Sequence, residues 1–214
     1  MDALIVVDVQ NDFLPTGALP VPRGDEVVPV INALMDRFPI VVATQDWHPP
    51  EHGSFAANQP GRKIGDVGEL AGLSQVFWPV HCVQGTPGAD FAPGLRTERF
   101  AAIFRKGLDP RIDSYSGFAD NGRRRSTGLA GALRDLGVTR IFVVGLATDY
   151  CVKATALDAL AAGFEAVCIE DACRGVDLHP GDVDRALEEM RAAGVRVVES
   201  REVLAGAVTA TAQA

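Results

Sequence analysis

Short apolar runs alternate along the chain with helical patterns. Leu4–Val7 is a β-branched run that stops at Asp8. Pro39–Thr44, Ala101–Phe104, Arg140–Val144, Glu165–Ile169 and Val195–Val198 continue the series. Runs of this length, bounded by turn residues, predict strands of a parallel sheet. Between them, residues 26–36 (EVVPVINALMD, despite Pro29), 127–136 (TGLAGALRDL), 151–162 and 182–193 (DVDRALEEMRAA) carry helical apolar spacing. Gly137, Gly163 and Gly194 close the last three, as glycine does where a helix ends in a left-handed residue.

Strands that alternate with helices predict βαβ units. The right-handed crossover rule then gives an α/β fold: an open, doubly wound, mostly parallel sheet with helices on both faces, Rossmann-like in layout. Gln45 to about Pro60 breaks the rhythm, being irregular and rich in Pro, Gly, His and Asn. No repeat or linker divides the chain, so residues 1–214 read as a single domain with an elaborated region at about 45–90. The tail AGAVTATAQA has no period and is expected to fray.

At 214 residues and 47% hydrophobic content, the chain can bury one sizeable core. A net charge of −8 argues against nucleic acid or an anionic membrane as partner. No apolar run reaches the 18 residues of a membrane span. The first residues, MDALIVVDVQNDF, are acidic where a signal peptide is basic. Cys82, Cys151, Cys168 and Cys173 make no CxxC pair. A reducing, cytoplasmic setting is the expectation.

In this fold class, active groups gather at the carboxyl ends of strands. Asp8, the pair Asp46 and His48, Lys106, and Cys151 all meet that condition. Cys151 lies in GLATDYCV, where a strand gives way to a helix. Free N–H groups there favour a thiolate and suit a developing oxyanion. Asp8 is placed to take the thiol proton, and Lys106 to hold Asp8 ionised or to meet charge on a substrate oxygen. Each has a plainer reading: a packed thiol, a turn cap, a surface lysine. Cys168, within VCI, reads as packing, and Cys82 and Cys173 are weaker candidates than Cys151. No histidine occupies a strand end beside Cys151, so a Cys–His pair fits less well.

DWH sets Asp46 and His48 two residues apart, and WPVHC adds His81. One carboxylate and two imidazoles would hold Zn, Fe(II) or Mn with positions left open. The plainer reading is three hydrogen-bonded loop residues. His52 and Ser54 both stand near a fourth position, and neither is assigned. His179 reads as structural.

As an ordered set, DVQNDF (8–13), DWH (46–48), WPVHC (78–82), KG (106–107), YSGF (115–118), GLATDYCV (145–152) and DACRG (171–175) resemble the nicotinamidases of the isochorismatase-like cysteine hydrolase superfamily. The resemblance spans almost the whole chain. It implies a catalytic triad of Asp8, Lys106 and Cys151, and a divalent metal on Asp46, His48 and His81. Zinc is the first choice for the ion, with Fe2+ and Mn2+ as alternatives. It implies aromatic walls from Phe13 and Trp78, completed by Tyr150. It implies a cis peptide at Leu146–Ala147, with the N–H groups of Ala147 and Cys151 forming an oxyanion hole. The implied reaction is hydrolysis of nicotinamide to nicotinate and ammonia through a cysteine thioester, with pyrazinamide as a side substrate and NAD salvage as the setting. Two rivals stand beside it. One is another hydrolase of the same fold, acting on isochorismate, a carbamoyl amide or a ureidoacrylate. The other is a metal-containing binding protein with an inert cysteine. A homo-oligomer is compatible with each.

Overall fold

The computed structural model describes residues 1–208, so the last six residues of the tail expected to fray lie outside the described residues. Six strands form one parallel sheet: β1 (Asp2–Val7), β2 (Ile40–Asp46), β5 (Ala102–Lys106), β6 (Arg140–Leu146), β7 (Glu165–Arg174) and β8 (Arg196–Val198), in the order β5-β2-β1-β6-β7-β8. Strand side chains alternate between faces, so the sheet separates two cores. Leu4, Val6, Val41, Phe142 and Val144 join α1 (Val27–Met35) and α5 (Ser200–Leu204) on one face. Ala3, Ile5, Val7, Val42, Ile141 and Val143 join α2 (Leu129–Asp135), α3 (Lys153–Ala161) and α4 (Asp182–Ala193) on the other. The doubly wound expectation holds. Strand order reverses around β1, and a switch point of this kind opens a crevice at the carboxyl edge.

Pro29 is accommodated because it lies in the first turn of α1, where its missing N–H has no partner to lose. Several boundaries differ from the sequence reading. Lys106 is the last residue of β5 rather than a residue beyond it, and β7 runs on to Arg174 through a register irregularity. The elaborated region contains an antiparallel hairpin of β3 (Val67–Leu70) and β4 (Leu73–Val76) that the apolar pattern does not announce. Its two-residue turn is Ala71-Gly72, both at positive φ, where the sequence lacks the Asn-Gly or Asp-Gly signal. The short α5 is fixed by a capping box between Glu199 and Glu202. Among the described residues, no helix is long and apolar enough to cross a membrane.

Candidate active site

Asp8 ends the first strand in a left-handed turn (φ 47°), and its side chain is fully buried. Asp8 Oδ1 accepts from Thr44 Oγ1 at 2.6 Å. Oδ2 lies 2.8 Å from Lys106 Nζ, yet no aligned hydrogen bond reaches it. The reason is that Lys106 points elsewhere: it donates to Asp46 Oδ1 (2.5 Å), to Ser114 O (2.8 Å) and to Cys151 Sγ (3.4 Å). The contact with Asp8 is therefore chiefly electrostatic. It leaves an acceptor lone pair free on a buried carboxylate.

Burial alone would lower the Lys106 ammonium. The facing carboxylates of Asp46 and Asp8 outweigh it and hold the group well above its ordinary value. Burial raises Asp8 to about 6, with Lys106 opposing the rise. Burial also pushes the Cys151 thiol well above its usual range, again opposed by Lys106. At neutral pH the resting trio is thus a carboxylate, an ammonium and a protonated thiol. A helix start does not by itself make Cys151 a thiolate. The residue sits inside a π-helical turn, Thr148–Val152, that precedes α3, and not at a simple α-helical amino terminus. The Leu146–Ala147 peptide is cis, and Ala147 and Cys151 both line the pocket.

Ligand-type atoms of Asp8, Asp46 and Cys151 lie within 4.8 Å of one another, but the Lys106 ammonium already fills the cation position among them. Asp46, His48 and His81 form a separate buried group with ligand atoms inside the same limit. His48 Nδ1 is 3.0 Å from Gly107 O, and His81 Nδ1 is 2.8 Å from Pro79 O. Both contacts place the proton on Nδ1 and leave Nε2 free as a donor to metal. Asp46 Oδ2 faces His48 Nε2 at 3.6 Å. The donor chemistry and its buried convergence fit a divalent ion. Gly107 has a definite function here: at φ +67°, an added Cβ would lie 2.2 Å from His48 Cε1. His52 packs on His48 with ring centroids 4.3 Å apart. Its Nδ1 lies 2.7 Å from Ser54 Oγ, and its buried Nε2 has no partner. In the second histidine group, His48–His52–Asp113, both Asp113 oxygens already accept hydrogen bonds, from Ser114 N and Gln75 Nε2.

Beside these groups lies a pocket. Phe13, Trp78 and Tyr150 line it together with Asp46, His81 and Cys151. Trp78 and Tyr150 meet edge-on at 4.8 Å, and Trp78 Nε1 donates to Tyr115 Oη at 3.2 Å. The sequence reading missed Leu19, Asp113, Tyr115 and Val176 on the same wall. Tyr115 had a signal, since it opens YSGF; the other three had none. His179 lies outside this pocket, at an exposed contact with Asp182.

The isochorismatase domain model matches residues 2–202. The chain belongs to the isochorismatase family. Among its family relatives is a nicotinamidase of Escherichia coli strain K12, 52% identical over 196 residues that cover 90% of this chain and 92% of that protein. The solved Acinetobacter baumanii nicotinamidase/pyrazinamidase superposes with a TM-score of 0.92 at 47% identity, over 94% of this chain and 97% of the other. The isochorismatase fold also appears in the pyrazinamidase of Pyrococcus horikoshii, solved in complex with zinc, at a TM-score of 0.76 and 44% identity over 92% and 98% of the two chains.

Proposed function

We propose that this chain hydrolyses nicotinamide to nicotinate and ammonia through a thioester on Cys151, as a single-domain amidohydrolase. The observation that carries the reading is the position of Cys151 Sγ. It lies 3.4 Å from the Lys106 ammonium and beside Asp8, in an aromatic pocket that also opens on His81.

Asp8 takes the thiol proton, and the sulfur forms a bond to the amide carbon. The N–H groups of Ala147 and Cys151 receive the oxyanion. Asp8 then returns the proton to nitrogen, the C–N bond breaks, and ammonia leaves. Water adds to the thioester with Asp8 as base; the C–S bond breaks, Asp8 returns its proton to the sulfur, and the acid departs as nicotinate after losing its proton to solvent. Lys106 stays protonated throughout, favouring the ionised form of Asp8 in the resting site and negative charge on sulfur. Phe13 and Trp78 cover the ring faces, with Tyr150 closing the wall. Asp46, His48 and His81 would hold a divalent ion, for which we favour zinc over Fe2+ or Mn2+, and that ion would supply Lewis acidity toward the pyridine nitrogen. Pyrazinamide presents the same ring nitrogen and carboxamide and is a side substrate in this reading. Four free cysteines support a reducing, cytoplasmic setting.

The test is ammonia release from nicotinamide before and after chelation and metal restoration. Release that falls on chelation, returns with metal and yields nicotinate is the expected result. No release across several restored metals would move the assignment to another hydrolase of this fold. Benzamide separates the metal from the chemistry, because it carries the amide without the ring nitrogen. It should be turned over at least about tenfold less efficiently, the scale of one lost polar contact in a buried site. Equal kcat/KM for the two amides would remove the metal from substrate recognition.

A further inference from the structure

The loop after β1 holds two side chains that the proposed chemistry does not use. Gln10 is fully buried. Its Nε2 donates to Asp46 O at 2.8 Å and to Ala89 O at 2.9 Å, while its Oε1 accepts from the Asp46 N–H at 2.8 Å. The side-chain amide thus pairs with both backbone groups of Asp46, as an adjacent strand would. Two residues on, Asp12 Oδ2 accepts from the Cys82 N–H at 2.7 Å, and Oδ1 from the Ala18 N–H at 3.3 Å. Cys82 directly follows His81. Asp12 is seated against Gly88, where an added Cβ would lie 2.2 Å from Oδ2.

We infer that Gln10 and Asp12 are positioning residues that set the distance between Asp46 and His81. The two ligands come from segments more than thirty positions apart, the end of β2 and the WPVHC loop. A single short loop grips the backbone of the first and the residue beside the second. The inference rests on the reading of Asp46, His48 and His81 as metal ligands. Outer partners of this kind commonly govern metal affinity by about 10–100-fold.

The experiment is Zn2+ affinity by competition with a chromogenic chelator, on metal-free proteins that circular dichroism shows to be folded at the assay temperature. Gln10→Met keeps the length and removes all three hydrogen bonds. It should weaken Zn2+ binding by about tenfold or more. Asp12→Ala should do the same, whereas Asp12→Asn keeps an acceptor for the Cys82 N–H and should stay within about threefold of the parent. A purely structural role would lower the melting temperature and leave the affinity of the folded protein unchanged; that result overturns the inference. So does Asp12→Asn binding as weakly as Asp12→Ala. If Gln10→Met does not fold, the two Asp12 variants decide alone. Absence of Zn2+ binding by the parent protein would instead overturn the ligand assignment, and the inference with it.

Discussion

Replacing Cys151 with alanine should reduce ammonia release from nicotinamide by about 10⁴-fold or more, as loss of a covalent nucleophile does in other hydrolases. The residue is 6% exposed, its sulfur accepts from the Lys106 ammonium at 3.4 Å, and it lines the pocket. Its loss leaves Asp8 to act on water alone, without a thioester. The substitution removes little volume and no ligand of the Asp46–His48–His81 group. Metal stoichiometry should therefore be retained, which separates a chemical defect from a folding one. The measurement is kcat together with zinc content on the same sample. A variant with full amidase activity would remove Cys151 as nucleophile. Iodoacetamide gives an independent check: labelling of Cys151 that nicotinamide blocks, with Cys82, Cys168 and Cys173 spared.

Lys106→Met should destabilise the metal-free protein by about 3–5 kcal/mol at neutral pH, the usual cost of stripping one partner from a buried ion pair. Lys106 is 2% exposed, and Asp8 and Asp46 lie 2.8 and 2.5 Å from its ammonium. Methionine fills the space of the aliphatic stem but leaves two carboxylates facing each other without a cation. Activity should fall by about 10²–10⁴-fold, because Asp8 then binds its proton too tightly to serve as a base and the thiolate loses its countercharge. Urea unfolding and kcat measure the two effects. A variant as stable as the parent would mean that the carboxylates do not depend on the lysine.

The four inner strands β1, β2, β6 and β7 were legible because burial on both faces writes continuous apolar runs, and α4 was legible to the residue because its apolar stripe ends at Gly194. The β3–β4 hairpin was not, since Val67 is exposed and its partner strand is only half-buried, so no run marks it. The triad residues stood out because each lies at the end of a strand or in the turn that follows it. The residues that support them did not: Gln10 acts through a backbone contact 36 positions away, which no local pattern encodes. Asp113 and Val176 reach the pocket from loops, where side-chain direction follows tertiary packing rather than period. The π turn around Cys151 was hidden for a related reason. Its sequence is compatible with an ordinary helix start.

Asp8 and Cys151 follow neighbouring strands, β1 and β6, whose first paired residues, Asp2 and Arg140, are 138 positions apart. A growing chain therefore carries its base through most of synthesis with no nucleophile beside it. Hydrolysis begins only after β6 has entered the sheet next to β1, a late and long loop closure. Recovered amidase activity after dilution from denaturant would accordingly time the joining of the two halves of the sheet, and local helix formation would pass unseen by that assay.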